Sequence, residues 1–240
     1  MRILDNHCLF GRWMKDDRDV SLKKLLSALR SMGAEHGVAV SLRGVFYDHD
    51  AGNAETLEVC RRHRELVPAA TINPQHYFGR GSLPARLVRQ GFRMLRFFPN
   101  LQGWTPQGVV FERVLGECAK ARLPVAFPIG KASDLASQLC RIAPKGCRVV
   151  LSDVYYGGLA ECIEVLRRRP EFLMEAGHTC VPGGLEVACR EVGAGRVVLG
   201  TNQPLESGLG AVEAIRRSEL SSRDQAAVLG GNLSRLLGGI

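Results

Sequence analysis

His7, Asp153 and His178 each stand at or just beyond the end of a short apolar run. A histidine within hydrogen-bond reach of a carboxylate is a general base, able to take a proton from a water or hydroxyl and return it. These three are therefore candidates for such chemistry. Each also has a plainer reading. His7 could be a core histidine bonded to a neighbour, Asp153 could cap a helix that begins near Tyr155, and His178 could be an ordinary loop residue.

Arg43 and Arg96 occupy two further run ends, among apolar neighbours. A guanidinium in such surroundings usually needs an acidic partner, and its fork of donors suits a ligand carboxylate. Outward-facing arginines are the alternative. Asn73 and Asn202 close two other runs and complete the candidate binding set. Several other chemistries are excluded by spacing. There is no Cys-x-x-Cys pair of the zinc-ribbon or thioredoxin kind. No two of His49, His63 and His76 stand at metal-ligand spacing, and the Gly79-Arg80-Gly81 turn is too short to be a phosphate loop.

The elements that must position these residues alternate along the chain. Eight apolar runs can be marked: 1–9, 37–42, 66–72, 92–98, 123–129, 147–151, 171–175 and 196–200. Between them lie stretches with helical spacing. From Ser21, the residues Leu22, Leu25, Leu26, Leu29 and Met32 form one apolar stripe, and Gly33 is placed to end it. Further helices are expected over 53–63, 83–90, 108–121, 132–142, 159–169 and 184–192. Two closing helices follow, the last opening with Ser222-x-x-Gln225 as a capping box and carrying Val228, Leu229, Leu233, Leu236 and Leu237.

Strand–helix alternation implies parallel strands joined by right-handed crossovers. Eight such units are either a closed barrel or an open doubly wound sheet. No Gly-x-Gly-x-x-Gly follows the first run, which removes the usual dinucleotide signature. The expected fold is an α/β (β/α)8 TIM barrel, one compact domain over residues 1–240, close to the ~250 residues typical of that architecture. In such a barrel the site lies at the C-terminal ends of the strands, where the candidates above fall.

Composition narrows the partners. The chain is 45% hydrophobic and has a net charge of +8. Its arginines are spread over helix ends and outer faces. There is no basic tail and no aromatic-interleaved basic segment that would stack bases, so no nucleic-acid partner is expected. No run of ~18 apolar residues occurs, so no membrane span is expected. The start of the chain has no apolar h-region of a secretory signal. The eight cysteines sit inside expected strands and helices rather than in a disulfide pattern. They read as buried thiols, which fits a cytoplasmic protein.

The run ends, taken in order, resemble the amidohydrolase superfamily in its compact decarboxylase/lactonase-like branch. Asp5-Asn6-His7-Cys8-Leu9-Phe10-Gly11 resembles the first-strand motif Asp-x-His-x-His-x-Gly. The segment Gly91-Phe92-Arg93-Met94-Leu95-Arg96-Phe97-Phe98-Pro99 is similar to the fourth-strand pattern with its Arg-φ-His-Pro end. Arg196-Val197-Val198-Leu199-Gly200-Thr201-Asn202-Gln203-Pro204 resembles Arg-φ-φ-φ-Gly-Ser-Asp-x-Pro. Thr71-Ile72-Asn73-Pro74, Leu123-Pro124-Val125 and the closing Leu229–Leu237 segment follow the family's third strand, fifth strand and last helix.

The departures fall on the family's metal ligands. Leu9 stands for the second histidine of the first motif, Pro128 for the fifth-strand histidine, Asp153 for the sixth-strand histidine and Asn202 for the eighth-strand aspartate. A catalytic zinc needs about three protein ligands and an open position. Leu9 and Pro128 offer no ligand, and the Asn202 amide carries no charge and accepts no proton at neutral pH. The expectation is a barrel without a metal cofactor: either a metal-independent, lactonase-like hydrolase or a barrel that binds without turnover. The resemblance implies a small anionic ligand bound by Arg43, Arg96, Asn73 and Asn202, with His7 and Asp153 as the catalytic acid/base candidates and His178 assisting. By analogy it also implies a homodimer.

Overall fold

The computed structural model describes residues 1–79, 81–130, 134–179 and 182–240. Eight strands are arranged in chain order: β1 (Leu4–Phe10), β2 (His36–Ser41), β3 (Leu66–Thr71), β4 (Met94–Arg96), β5 (Val125–Pro128), β6 (Val149–Ser152), β7 (Leu173–Glu175) and β8 (Val197–Val198). Each pairs in parallel with the next. The first and last strands meet through a few bonds rather than a full ladder. The Asn6 amide donates to the Leu199 carbonyl (2.9 Å), the Gln203 amide to His7 (3.0 Å) and the Leu9 amide to Gln203 (2.7 Å). The expected eight-fold barrel is therefore present.

Side-chain alternation along each strand sorts the core into two layers. Leu4, Val38, Val40, Val67, Ala69, Met94, Ala126, Val150 and Val198 fill the barrel. Ala39, Leu95, Val125, Phe127, Val149, Leu151, Met174 and Val197 face out to the helices. Between barrel and helices, Phe97, Trp104, Phe111 and Phe127 form an edge-to-face and tilted cluster with ring centroids 5.1–6.2 Å apart. Such geometry adds to the area they bury. Leu233, Leu236 and Leu237 of the closing helical segment pack with Leu4 and close the barrel's floor.

The expected helices are present with shifted ends. Ser21 caps Leu22–Met32 by accepting from the Lys24 amide, and Gly33 ends it in the left-handed region. The capping box lies one residue earlier than expected: Ser221, not Ser222, accepts from the Asp224 amide. The Gln225 side chain instead donates to the carbonyls of Arg216, Ser218 and Leu220. The expected helix over 132–142 is described from Asp134 to Ile142, its first residues lying outside the described set.

A short helix, Leu42–Phe46, was not expected. The second apolar run carries straight into it because the Ser41 hydroxyl accepts from the Arg43 amide and turns the chain. It is held down by the next helix, His49–Arg62. There the Asn53 side chain pairs twice with the Thr71 backbone, at 2.8 and 2.9 Å. The seven described cysteines are free thiols, five of them buried; Cys180 lies outside the described residues. No helix of the described residues is long and apolar enough to cross a membrane.

Candidate metal centre and ligand pocket

Inward positions near the C-terminal ends of the strands are polar where those below are aliphatic. β1 has a register shift between Asp5 and Cys8. Strict alternation would send Asn6 and His7 to opposite faces. With the shift, both reach Glu175 at the end of β7. The shift is held by Asp5, whose carboxylate accepts from the His7 amide (3.0 Å) and from the amide and hydroxyl of Thr201. Burial pushes the Asp5 carboxyl up, against the lowering effect of those hydrogen bonds.

Glu175 is the electrostatic centre. Its Oε1 accepts from Asn6 Nδ2 (2.6 Å) and from an Arg96 guanidinium nitrogen (3.0 Å), and that nitrogen also donates to the Asn6 carbonyl (2.7 Å). Arg96 and Glu175 are each only 1% exposed. Burial alone would raise the Glu175 carboxyl, but the Arg96 charge and the His7 ring outweigh it and hold it down at about 2. The carboxylate is therefore ionised at neutral pH.

Three atoms are left over. His7 Nδ1 lies 3.6 Å from Glu175 Oε2 and 3.7 Å from Asp153 Oδ1, beyond hydrogen-bond reach of either. All three atoms are buried and without a hydrogen-bond partner among the described residues. They lie within 4.8 Å of one another. Ligands 2.0–2.2 Å from a shared ion sit roughly 3.0–3.5 Å apart, so the two separations from His7 nearly match and the two carboxylates would draw together around an ion. One imidazole nitrogen and two carboxylate oxygens are a donor set for a borderline or hard divalent cation. The residues present fit a metal ion.

Asp153 reaches this point from a left-handed backbone, φ 54°, just after β6. On its other side His178 Nδ1 is 3.7 Å away. The His178 ring lies against Tyr155 at 4.7 Å between centroids, and its Nε2 is 3.0 Å from Glu206. Asn202, also left-handed at φ 55°, donates to Glu206 at 3.2 Å. Burial would raise the Glu206 carboxyl, yet His178 and Asn202 bring it below the usual range. Burial, with the Asp153 charge behind it, raises the Tyr155 hydroxyl.

Above the cluster opens a pocket of about 210 Å³. His7, Arg96, Asp153 and Asn202 line its polar side. Leu9, Pro128, Trp13, Phe98 and Leu101 line the rest. Leu9 and Pro128, the positions without ligand atoms, thus form apolar wall. Larger clefts of about 490 and 590 Å³ lie under residues 11–21 and beside His49 and His76; among the described residues, neither holds a His/Cys/Asp/Glu group like that of His7, Asp153 and Glu175.

Of the seven candidates from the sequence, the structure brings His7, Asp153, His178, Arg96 and Asn202 together. It does not bring Arg43 or Asn73. Arg43 is exposed on the Leu42–Phe46 helix, because the chain leaves the barrel one residue before it. Asn73 is turned away from the pocket, its Oδ1 accepting from the Gln75 amide to cap the turn Pro74–His76. Glu175 was missed. Its signal was a carboxylate at the C-terminal end of an apolar run, which by strand parity faces inward with Arg96.

A family model described as amidohydrolase matches residues 11–239, leaving β1 and His7 outside the matched span. No curated protein matches in sequence. Solved structures do. A 5-carboxyvanillate decarboxylase from Sphingomonas paucimobilis aligns at TM-score 0.74 and 13% identity, covering 100% of this chain and 99% of that one. A probable 2-pyrone-4,6-dicarboxylic acid hydrolase from Acinetobacter baumannii, with citric acid bound, aligns at 0.70 and 15%, covering 99% and 100%. A 5-carboxyvanillate decarboxylase from Novosphingobium aromaticivorans, complexed with manganese and 4-hydroxy-3-methoxy-5-nitrobenzoic acid, aligns at 0.71 and 10%, covering 98% and 96%. At these identities the likeness is one of fold.

The expectation of a site with no metal cofactor is corrected on two counts. A protein of this fold carries manganese. In this chain Glu175, which the count of ligands omitted, joins His7 and Asp153 in a group able to hold an ion.

Proposed function

The chain belongs to the amidohydrolase family, and from that premise we propose that it is a divalent-cation-dependent hydrolase acting on a small anionic molecule of the lactone or ester class. The observation that carries this reading is the set of three unpartnered ligand atoms on His7, Asp153 and Glu175, at the base of a pocket beside a buried arginine. His7, Asp153 and Glu175 would hold the cation. When bound, it would polarise the carbonyl under attack and make a water more acidic.

The rest is the work of the chain's own side chains. Arg96 presents positive charge to the pocket, where a ligand carboxylate is drawn. Leu9, Phe98 and Trp13 shape an apolar wall that suits a flat ring and excludes water. Asp153 takes the proton of the attacking water at its carboxylate. His178 stands 3.7 Å behind it, so that a movement of about 0.5 Å would bring the two into hydrogen-bond reach, and Glu206 holds the far side of the imidazole at 3.0 Å.

The test is a screen of purified, Mn2+-supplied protein against small lactones and esters that carry a carboxylate, with Asp153→Asn beside the wild type. Turnover that falls by about 10²-fold or more in the variant supports the reading. Turnover unchanged by Asp153→Asn removes the assigned base. Ligand binding with no turnover on any member favours instead a barrel that binds without catalysis.

A further inference from the structure

The cation cluster has a permanent neighbour of the same sign. Arg96 is 1% exposed and cannot swing into solvent without leaving the barrel interior. It spends one guanidinium nitrogen on Glu175 Oε1 and the Asn6 carbonyl. Asn6 Nδ2 occupies Oε1 as well, so only Oε2 of Glu175 is left to meet a cation. Arg96 Nε is enclosed and has no hydrogen-bond partner among the described residues, and Arg96 lines the pocket above the cluster.

Charge arithmetic then decides what the site can hold. Asp153 and Glu175 bring two negative charges, Arg96 returns one positive charge, and His7 is neutral when its Nδ1 is a ligand. The sum is −1. Glu206 lies behind the His178 ring, on the far side from the cluster, and is 47% exposed, so solvent screens its charge. Asp5 faces the Thr201 amide and hydroxyl rather than the pocket. A divalent cation alone takes the site from −1 to +1, and a net charge is costly to hold in a largely enclosed pocket. One carboxylate from a ligand brings the sum to zero.

We propose that Arg96 is a resident countercharge that makes divalent-cation binding at His7, Asp153 and Glu175 weak by itself and cooperative with the binding of one small carboxylate. This rests on the reading above, that the cluster is a cation site. Linkage makes the effect reciprocal: the acid gains from the cation the same factor that the cation gains from the acid. It gives the protein an ordered choice, in which the cation is held firmly only when an anionic ligand is present to use it.

The experiment is calorimetric and does not depend on turnover. MnCl2 is titrated into the full-length protein alone and in saturating benzoate, with Mn2+–benzoate association in buffer subtracted. Benzoate is then titrated with and without Mn2+. The expected result is about a tenfold tightening in each direction, within the usual range of coupling between sites. In Arg96→Gln, checked for its fold by circular dichroism, Mn2+ alone should bind about tenfold more tightly than in the wild type, and benzoate should no longer alter it. The wild-type pair of titrations stands even if that variant does not fold. Mn2+ binding of equal strength with and without benzoate overturns the inference and leaves the cation site intact. Absence of Mn2+ binding under both conditions overturns the cation site itself.

Discussion

Replacing Glu175 by Gln keeps the side chain's shape and removes its charge. The expected cost can be read from either partner of the Arg96–Glu175 pair. The carboxyl is held at about 2 against an ordinary value of 4.5. That difference is worth about 3 kcal/mol at neutral pH, at ~1.4 kcal/mol per pH unit. The other partner is Arg96, which at 1% exposure would be left as a buried charge with no counter-ion. Breaking one side of a buried pair typically costs ~3–5 kcal/mol.

The sign with pH is fixed as well. A carboxyl whose value is lowered on folding contributes its full stability above its unfolded value, and loses it as pH falls through the folded one. The assay is urea unfolding of wild type and Glu175→Gln in EDTA at several pH values. The gap should be about 3 kcal/mol at pH 7 and should close as pH falls from ~4.5 towards ~2. Pairing Glu175→Gln with Arg96→Met, which leaves no unpaired charge, should recover part of the loss. A gap below ~1 kcal/mol at pH 7, the size of an exposed pair, would refute the assignment of Glu175 as the buried counter-ion of Arg96. A gap of full size that does not change with pH would refute it too.

Two further outcomes are expected. A Cβ added at Gly200 would lie 2.3 Å from the Glu175 carboxyl carbon, and that carboxyl is pinned by Arg96 and Asn6. Gly200→Ala should displace it, lowering Mn2+ affinity by calorimetry and costing about 1–3 kcal/mol in urea unfolding; unchanged affinity would contradict the placement of Glu175. Burial pushes the thiols of Cys60, Cys147, Cys162 and Cys189 up to about 12. At pH 8 they should resist iodoacetamide in the native protein and label fully in guanidinium, read by peptide mass spectrometry, whereas rapid native labelling of Cys162 would show that it is not enclosed.

Much of the fold was legible in the sequence because it rests on local signals. The stripe from Leu22 to Met32, with Ser21 before it and Gly33 after it, is one helix with both ends marked. The eight apolar runs each hold a strand because barrel strands are covered on both faces and so read as continuous apolar segments. The Leu42–Phe46 helix was hidden for the same reason, since its Leu42 continues the apolar run and only the Ser41 cap marks the turn.

The site was legible only where one residue carried the signal. His7, Arg96 and Asp153 stood out as polar groups at run ends. That His7 and Glu175 would meet across 168 positions, or that Asp5 would fix a bulge aiming two adjacent side chains inward, depends on closure of the barrel between β1 and β8. Arg43 misled for a related reason: its place at a run end was right, but the chain had already turned out of the barrel. The family's pattern drew attention to the missing ligands at Leu9, Pro128 and Asn202. A cation site built from β1, β6 and β7 shares only part of that pattern.

The most direct test is the Mn2+ content of wild type and His7→Ala after equilibrium dialysis against millimolar Mn2+ with benzoate present, both proteins verified as folded by circular dichroism. A cation held by His7, Asp153 and Glu175 requires close to one equivalent in the wild type and loss of that equivalent in the variant. Retention of the same Mn2+ by His7→Ala, or none by the wild type, would contradict that assignment.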